Sequence, residues 1–527
     1  MNEAASSKKT DKTINFWFCG GLLVVLLAAI MARDISRPFY GLHSWKEAAA
    51  AWRARCYLNY PLSYTKGLAL WEVGQPPSEK PNRSLDHPQL GLFLPAIDLA
   101  IFGVDERGVR IGGVIRAVLS LLIFLKILRG LCDDKTTLLA GLFFVIFPIT
   151  GYFGVRGWVT AASFGAIWYY LVIIGSVTNG PASKAYHKWI LAVLLFLVLQ
   201  LNWEGFFYAF AIGVHYVFRC IRRKEFPDKV LLTILIVAPL SSLILNFAVM
   251  AAGHSWDWEK IWILFKWRAS KGEMPEFIWS KWFARLAEFA VLNFKLPALI
   301  TAIAYLTLGQ LFLLTAEKES PVQPKRFPQF WLFLMPAIFQ LFILRGALWM
   351  HQYWESPLVP FLAIAAALGV MTLADFLAKM NRRLAVAGAV VLTGVIFVSC
   401  AAGLNHYHGI RWHSPEKINM FKTLNKNIPP DKALLSFEDF IVNQNTAKGP
   451  HYRPEFAWYL DRKITQARTI SEVKSFARTG NYPYYLIPRA KNLMPLINQL
   501  SNSYKFQYFP TGQYMYMIFD LNTSARN

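Results

Sequence analysis

The chain carries the run LAVAGAVVLTGVIFVSCAA at residues 384–402, and this run contains no charged side chain. Roughly 17–25 consecutive apolar residues are long enough to cross a bilayer as a helix. Similar apolar runs recur along the chain on the N-terminal side of this one. We predict spans near residues 14–32, 108–128, 136–154, 160–178, 188–203, 205–219, 229–250, 296–315, 329–345, 357–378 and 384–402. The sequence therefore predicts an α-helical polytopic membrane protein with about 11 transmembrane helices.

The composition excludes an ordinary soluble protein. Of the 527 residues, 55% are hydrophobic and only 17% are charged, with a mean hydropathy of +0.32. A soluble domain carries about 25% charged residues. The net charge of +23 would indicate nucleic acid binding in a soluble chain, but here the basic residues lie mainly between apolar runs, where the positive-inside rule predicts them. We therefore exclude a nucleic acid partner, and the five Cys residues form no metal or disulfide pattern.

The short connectors between the apolar runs predict the orientation of the chain, because cytoplasmic connectors are enriched in Lys and Arg. With eleven spans, the basic connectors fall on one side, which places the N-terminus in the cytoplasm and the C-terminus outside. The first run is then an uncleaved anchor, and the apolar segment 88–103 is a juxtamembrane or re-entrant helix. The basic connector residues are Lys8, Lys9, Lys12, Lys126, Arg129, Lys135, Lys184, Lys188, Arg219, Arg222, Arg223, Lys224, Lys318, Lys325, Arg326, Lys379, Arg382 and Arg383.

Three segments are predicted to lie on the outer face: loops 33–87 and 252–295, and a tail from residue 403. The second loop combines several Trp with Lys and Arg, which is typical of a helix lying in the headgroup layer. The tail is more polar and contains short alternating runs, and its length of about 125 residues suffices for a small α/β domain. We predict a transmembrane domain at 1–402, which carries both loops, and a soluble outer domain at 403–527.

The first outer loop contains the string HSWKEA at residues 43–48, and Arg55 follows it. In a helix, His43 and Glu47 share a face because they are four residues apart, and Lys46 is their neighbour. A carboxylate beside an imidazole can accept a proton from an attacking hydroxyl. The plainer interpretation is a solvated helix with ion pairs.

Asp86 and His87 precede Pro88 and the apolar segment that follows. Pro suits the first position of a helix, so these two residues would lie at a helix N-terminus, which favours negative charge. The alternative is a simple Asp cap. Glu204 lies in a tight turn between two predicted spans, and it is either functional or only exposed to water.

Arg345 lies at the outer end of a predicted span, and His351 and Tyr353 follow it before the next span begins. Ionisable residues at a membrane edge are costly unless they have a partner or a function. An Arg at this position can pair with a lipid phosphate. The alternative is that the side chain only snorkels to the interface.

Taken in order, these strings resemble the GT-C superfamily of integral-membrane glycosyltransferases. The branch that the chain looks most like includes the bacterial dolichyl-phosphate-mannose-protein mannosyltransferase-like and aminoarabinose-transferase-like proteins. The resemblance covers about residues 14–402, and the order of the strings agrees with the predicted topology. It rests on HSWKEA at 43–48 with Arg55, on DHP at 86–88, on FGVDERGVR at 102–110, on NWEG at 202–205 and on HQY at 351–353.

The resemblance implies an inverting transfer of a hexosyl or pentosyl group from an undecaprenyl-phosphate sugar, at the periplasmic face of a bacterial inner membrane. The acceptor hydroxyl would belong to lipopolysaccharide, another glycan, a lipid or a protein. Superfamily members vary in metal use, and no sequence feature requires a cofactor or a divalent cation. The rival function is a transporter or flippase for a lipid-linked sugar. Transporters show paired half-repeats, and the sequence contains no such repeat.

The resemblance also implies which residues carry the reaction. The Asp-Glu pair that the family has in its first loop falls on Lys46 and Glu47, so Glu47 is the leading candidate for the base and Asp86 is the second. An Asp that the family has after its third span is missing, and only Arg156 remains there. The other candidates are His43 and His87 for catalysis, and Lys46, Arg55, Arg156, Glu204, Arg345, His351 and Tyr353 for substrate binding.

Overall fold

The chain is mainly helical, and its strands lie close to the C-terminus. The computed structural model describes residues 2–75, 77–85, 87–154, 158–177, 184–253, 258–270, 276–309, 327–442, 451–511 and 514–524. In the N-terminal half, the helices are α1 (Asn2–Ala32), α2 (Ser44–Asn59), α3 (Leu62–Thr65), α4 (Gln89–Phe102), α5 (Glu106–Leu131), α6 (Asp134–Ile146), α7 (Pro148–Phe153), α8 (Trp158–Ile173), α9 (Ala185–Leu201), α10 (Glu204–Arg223) and α11 (Lys229–Gly253).

The C-terminal half adds further helices and the strands. The helices are α12 (Trp258–Ala269), α13 (Trp279–Phe294), α14 (Leu296–Ala304), α15 (Phe327–Ile343), α16 (Arg345–Met350), α17 (Val359–Ala378), α18 (Arg382–Gly409), α19 (Pro415–Asn427), α20 (Pro454–Leu460), α21 (Ile470–Ala477) and α22 (Met494–Ser501). A π-helix covers Tyr305–Gly309, and 3₁₀ segments cover Gln352–Leu358 and Lys491–Leu493. The strands are β1 (Leu434–Ser436), β2 (Ile441–Val442), β3 (His451–Tyr452), β4 (Ile464–Gln466), β5 (Tyr484–Pro488), β6 (Tyr504–Thr511) and β7 (Tyr514–Ser524).

Several helices have the length and composition of membrane spans. In the described residues, four are long and apolar enough to cross a bilayer: Glu106–Leu131, Lys229–Gly253, Gln352–Ala378 and Arg382–Gly409. The helices Trp279–Phe294 and Leu296–Thr307 pass the same test as a pair, although they meet at a bend of 106°. Shorter apolar helices are Phe16–Ala32, Gln89–Phe102, Thr160–Ile173, Ala185–Leu201 and Gln329–Ile343. A polytopic membrane protein is thus confirmed by its helices, whereas the number of eleven spans stays a prediction.

The apolar run at 384–402 forms the middle of α18. The helix begins after Asn381, whose side chain accepts a hydrogen bond of 2.8 Å from the backbone N–H of Arg383. It continues to Gly409, past the predicted end. Its 28 residues cover about 42 Å at 1.5 Å per residue, which is more than the hydrocarbon core of a bilayer requires.

Two predicted spans are interrupted. The span predicted at 136–154 divides into α6 and α7, because Pro148 begins α7 and the preceding Phe147 has a non-helical ψ of 129°. The bend of 106° lies between α13 and α14 at Lys295, whose φ of 67° is in the left-handed region. The span predicted at 296–315 is described only as far as Gly309.

The apolar segment predicted at 88–103 is α4, a helix of 14 residues. At 1.5 Å per residue it is about 21 Å long, which is too short to span a hydrocarbon core of about 30 Å. Leu92, Ala96 and Leu99 are buried, whereas Phe93 and Ile97 on the other face are exposed. This two-sided pattern fits the predicted juxtamembrane helix.

The residues form two compact units. The first unit contains Met1–Ile35, Arg110–Ala248 and Trp262–His408. The second unit contains Ser36–Val109, Val249–Ile261 and Gly409–Asn527. This grouping differs from the predicted division at residue 403, because the first outer loop clusters with the tail rather than with the spans.

The tail of the second unit contains a five-stranded sheet in the order β4-β1-β5-β7-β6. β1 pairs in parallel with β4 and β5, whereas β7 is antiparallel to both β5 and β6. Successive side chains of a strand point to opposite faces. On β5, Leu486 therefore packs with Trp52 and Phe456 in one core, while Tyr485 packs with Val473 in the other. The predicted α/β architecture of the tail is confirmed.

Candidate functional site

In the second unit, His43 lies immediately before α2. The helix begins at Ser44, and His43 has a left-handed backbone with φ 54° and ψ 24°. The expectation that His43 and Glu47 share a helical face is therefore wrong, because His43 is not part of the helix. Its buried ring packs edge-on against Trp412, with ring centroids 4.4 Å apart.

Lys46 and Glu47 occupy the first turn of α2, and both are partly buried. A carboxylate in the first turn of a helix interacts favourably with the helix dipole. Further along the same helix, burial raises the pKa of the Cys56 thiol to about 12. With this pKa, the Cys56 thiol is neutral at pH 7. Because only a thiolate acts as a nucleophile, Cys56 serves as a packing group.

Arg55 of the same helix binds the C-terminal end of α20. Its guanidinium donates hydrogen bonds of 2.8 Å to the carbonyls of Ala457 and Trp458, and it lies 3.2 Å from the carboxylate of Asp461. The last carbonyls of a helix lack partners within that helix, so Arg55 supplies their donors. The side chain thus joins the first outer loop to the tail within this unit. The predicted contact between Arg55 and substrate stays a prediction.

His87 is partly buried at the entrance to α4. Pro88 is the N-cap of this helix rather than its first residue. Gln89 holds the segment, because its side-chain amide donates hydrogen bonds of 3.0 Å and 2.9 Å to the carbonyls of Ser84 and His87. Asp86, the second candidate for the base, lies outside the described residues, as does Arg156.

In the first unit, Arg345 begins α16 among aromatic rings. Its guanidinium carbon lies 4.5 Å from the ring centroid of Phe277 and 5.4 Å from that of Trp279. The indole of Trp282 donates a hydrogen bond of 3.1 Å to the Arg345 carbonyl. An arginine held over aromatic faces keeps its planar fork of N–H donors available to an anion.

His351 lies between α16 and the 3₁₀ segment Gln352–Leu358, and Tyr353 lies on that segment. Their rings are stacked with centroids 5.1 Å apart, and Tyr353 is buried. Glu204, the remaining candidate, begins α10 and is partly buried. The next residue, Gly205, leaves no room for a side chain, because a Cβ there would lie 2.4 Å from the carbonyl oxygen of Val198. The structure therefore places Arg345, His351, Tyr353 and Glu204 in the first unit, and His43, Lys46, Glu47, Arg55 and His87 in the second.

The sequence analysis missed a carboxylate–imidazole pair in the first unit. Asp34 follows the end of α1, and its Oδ2 lies 2.6 Å from Nδ1 of His408 near the end of α18. The Asp34 side chain is 31% exposed, whereas that of His408 is only 8% exposed. Tyr152 packs edge-on against the His408 ring at 5.3 Å. No short string signals this pair, because its members are 374 residues apart.

Arg110 holds the turn that presents Asp34. Its guanidinium donates hydrogen bonds of 2.8 Å to the Asp34 carbonyl and 3.3 Å to the Ile35 carbonyl. Arg33 on the same turn is hydrogen-bonded to Asn405 of α18. Arg110 is the last residue of the FGVDERGVR string, and its role in the first unit is to hold this turn.

The arrangement provides groups for proton transfer and for anion binding. The partly exposed carboxylate of Asp34 can accept a proton, and an imidazole hydrogen-bonded to it orients it. Arg345 and His351 can supply positive charge to an anionic group. Within the described ranges, no group of three or more His, Cys, Asp or Glu side chains is placed to hold a metal ion.

The comparisons with known proteins rest on structure. No protein-family model and no curated protein sequence matches the chain. The crystal structure of ArnT from Cupriavidus metallidurans bound to undecaprenyl phosphate is similar over 98% of this chain and 99% of that protein, with a TM-score of 0.62 and 11% identity. The apo state of the same protein gives a TM-score of 0.56 over 98% of both chains, again with 11% identity.

A second solved protein shares the fold over most of this chain. The Archaeoglobus fulgidus oligosaccharyltransferase in its apo form matches 93% of this chain and 73% of its own length, with a TM-score of 0.52 and 12% identity. These identities are too low to transfer a reaction, but the full-length agreement with ArnT covers both the helical part and the C-terminal sheet. The chain has the fold of these two solved proteins, in agreement with the membrane glycosyltransferase fold that the resemblance of its sequence implies.

Proposed function

We propose that this protein is a glycosyltransferase that moves a sugar from a polyprenyl-phosphate donor to an acceptor hydroxyl. The observation that carries the proposal is the full-length similarity to a protein solved with undecaprenyl phosphate bound. The similarity to an oligosaccharyltransferase agrees with transfer from a lipid-linked donor. The acceptor would be lipopolysaccharide, another glycan, a lipid or a protein, and the reaction would take place at the periplasmic face of a bacterial inner membrane.

Asp34 is the base in this proposal, and Glu47 is the alternative that the sequence ranks first. A general base must reach the proton that it removes, and Asp34 has a partly exposed carboxylate that His408 orients at 2.6 Å. Asp34 takes the proton of the acceptor hydroxyl as the hydroxyl oxygen attacks the anomeric carbon. The bond between that carbon and the phosphate oxygen breaks in the same displacement, which inverts the anomeric configuration.

The leaving group is a polyprenyl phosphate, so its departure requires positive charge more than a proton. Arg345 is suited to this role because a guanidinium binds two phosphate oxygens at once, and the rings of Phe277 and Trp279 hold it in place. His351 follows on the adjoining segment and can add a second donor. Stabilisation of developing charge by fixed donors is usually a large contribution to catalysis.

A transfer assay tests the proposed function. The purified protein is reconstituted in liposomes with a radiolabelled undecaprenyl-phosphate sugar and candidate acceptors, and the product is identified by mass spectrometry. We expect label to move to an acceptor and free polyprenyl phosphate to appear in equal amount. Movement of intact donor between leaflets without transfer would instead support a flippase.

Labelling of single cysteines tests the periplasmic location. In a cysteine-free variant, Cys is introduced at Glu79, Ser270 or Ser475, which are all exposed, and intact cells are treated with an impermeant thiol reagent. We expect all three positions to react. Protection of position 79 or 475 in intact cells, with reaction after lysis, would contradict the eleven-span orientation.

A further inference from the structure

A buried amide links three segments of the first unit. Asn293 lies next to the bend between α13 and α14 and is completely buried. Its side-chain N–H₂ donates hydrogen bonds of 2.9 Å to the carbonyl of Gln352 and 2.8 Å to the carboxylate of Glu355. Its side-chain carbonyl accepts a hydrogen bond of 2.7 Å from the hydroxyl of Tyr407. All the hydrogen-bonding capacity of the N–H₂ group is therefore used.

The link to Tyr407 leads to the proposed base. Tyr407 directly precedes His408, and its ring packs against those of Tyr152 and Phe153 at 5.6 Å and 5.7 Å. His408 then contacts Asp34 at 2.6 Å. A shift of the Tyr407 hydroxyl would therefore move the last turn of α18, and with it the imidazole that orients the carboxylate.

The bend also touches α18 one turn earlier. A Cβ at Gly403 would lie 2.0 Å from the Cε atom of Lys295, so the absence of a side chain at Gly403 lets the stem of Lys295 lie against the helix. Residues 403 and 407 are four apart and share a helical face. The bend between α13 and α14 is thus held against α18 at two points.

The other link of Asn293 leads to the 3₁₀ segment Gln352–Leu358, which contains Tyr353, a predicted substrate-binding residue, and is called the donor-binding segment below. Gln352 and Glu355 flank Tyr353 on the 3₁₀ segment, and Glu355 is completely buried. The second carboxylate oxygen of Glu355 has no hydrogen-bond partner among the described residues. Burying a carboxyl group is costly unless it is hydrogen-bonded, so the bond from Asn293 offsets part of the cost of burying Glu355.

We propose that Asn293 is a positioning residue that aligns the base with the donor-binding segment during sugar transfer. This inference rests on the proposed function. One side of the amide acts on Asp34 through Tyr407 and His408, and the other side acts on Tyr353 through the backbone around it. Displacement of reacting groups by about 1 Å can cost about 100-fold in rate, so loss of either link affects transfer.

Three substitutions test the two links of Asn293. Tyr407→Phe removes only the hydroxyl, which bonds to Asn293 and also to the side chain of Gln352, and we expect kcat to fall about tenfold to 100-fold with little change in the KM for the donor. Glu355→Leu removes the acceptor on the other side, and we expect the donor KM to rise about tenfold. Glu355→Gln keeps an oxygen that accepts the Asn293 hydrogen bond, and we expect it to restore the donor KM to nearly the wild-type value.

A second buried tyrosine provides the control. The hydroxyl of Tyr170 lies 2.7 Å from Nδ1 of His215, also in the first unit. Tyr170→Phe therefore removes a similar buried hydrogen bond away from Asn293, and we expect wild-type kcat and KM. Thermal unfolding in detergent is measured for every variant, so that a loss of folded protein is distinguished from a loss of turnover.

The outcomes separate this inference from the proposed function. If the wild-type protein transfers sugar and Tyr407→Phe has the same kcat, the positioning role of Asn293 is overturned while the proposed function stands. Equal losses in Tyr407→Phe and Tyr170→Phe would also overturn it, because the effect would then reflect any buried hydroxyl. Absence of transfer by the wild-type protein from every donor tried would overturn the proposed function, and the positioning role with it.

Discussion

Each of the two units contains a carboxylate paired with an imidazole, and the pairs differ in which partner is exposed. In the first unit, Oδ2 of Asp34 lies 2.6 Å from His408, and the carboxylate is the exposed member at 31%. In the second unit, Oε1 of Glu455 lies 2.9 Å from His413, and the carboxylate is the buried member at 8%. The same two chemical groups are therefore presented in opposite orientations.

This difference indicates different tasks. An exposed carboxylate can receive a proton from a substrate while its buried imidazole orients it. The buried carboxylate of Glu455 instead connects two elements, the helix α20 and the segment that precedes α19. For a reaction in which a carboxylate is the base, as proposed here, the pair with the more accessible carboxylate, Asp34 and His408, is the candidate.

The largest expected effect distinguishes the two pairs directly. Asp34→Asn keeps the size of the side chain but cannot accept a proton, so we expect transfer to slow by about 100- to 10,000-fold. Glu455→Gln is the matched control, and we expect it to change turnover by less than about threefold. Initial rates in the liposome transfer assay measure both variants.

The same assay decides between Asp34 and Glu47. If Asp34 is the base, Glu47→Gln keeps most of its turnover, because the amide retains the size of the carboxylate. A Glu47→Gln variant without transfer, beside an active Asp34→Asn variant, would assign the base to the first outer loop, as the sequence analysis expects.

A smaller effect is expected for Arg345, which the account assigns to donor phosphate. Arg345→Ala should raise the donor KM by about tenfold or more, since a hydrogen bond to a charged group contributes about 1.5–3 kcal/mol and about 1.4 kcal/mol corresponds to tenfold. Arg345→Lys should restore only part of the affinity, because a point charge lacks the guanidinium fork.

Arg285 is the control for this prediction. Its guanidinium also lies over an aromatic ring, at 4.2 Å from the centroid of Phe289, and it pairs with Glu288 at 2.7 Å. Arg285→Ala should leave the donor KM unchanged. Equal donor affinity in Arg345→Ala and the wild-type protein would mean that Arg345 serves only as a packing residue.

In the second unit we expect substitutions to act on stability. Arg55→Ala leaves the carbonyls of Ala457 and Trp458 without their donor and removes the pair with Asp461. We expect a loss of about 2 kcal/mol or more in the free energy of unfolding, with an unchanged donor KM in the protein that remains folded. Thermal unfolding and steady-state kinetics test this, and a changed KM without destabilisation would support a substrate contact.

The smallest effect is expected at the N-cap of α19. Ser414 accepts a hydrogen bond of 3.2 Å from the backbone N–H of Lys417, next to the pair of His413 and Glu455. Ser414→Ala should cost about 1 kcal/mol of stability and leave transfer intact. A strong loss of transfer at normal stability would contradict a purely structural role for this part of the second unit.

Apolar length and alternation were sufficient to predict the fold class. The uncharged run at 384–402 predicts a spanning helix, because in hydrocarbon a helix satisfies all backbone N–H and C=O groups with internal hydrogen bonds. The strand Tyr514–Ser524 lies where the tail has its alternating run. The strings around Glu47 and Arg345 supported the resemblance to the GT-C superfamily. The prediction of one continuous span at 136–154 did not use Pro148, although a Pro is a local signal for such a break. No local string indicated the bend at Lys295.

The site was predicted less completely, because its contacts are distant in sequence. Asp34 and His408 are 374 residues apart, and Asn293 and Tyr407 are 114 apart. A sequence pattern over a few residues cannot show that these side chains meet. The charged residues of the HSWKEA and Arg55 region were conspicuous in the sequence, yet Arg55 binds helix carbonyls within its own unit.

The central claim is that this protein transfers a sugar from a polyprenyl phosphate with Asp34 as the base. The most direct test is the initial rate of label transfer from a radiolabelled undecaprenyl-phosphate sugar, measured for the wild-type protein and for Asp34→Asn in the same liposomes. The account predicts transfer by the wild-type protein and a rate at least about 100-fold lower in the variant. Transfer at the wild-type rate by Asp34→Asn would contradict the assignment of the base, and no transfer by the wild-type protein from any donor would contradict the proposed function itself.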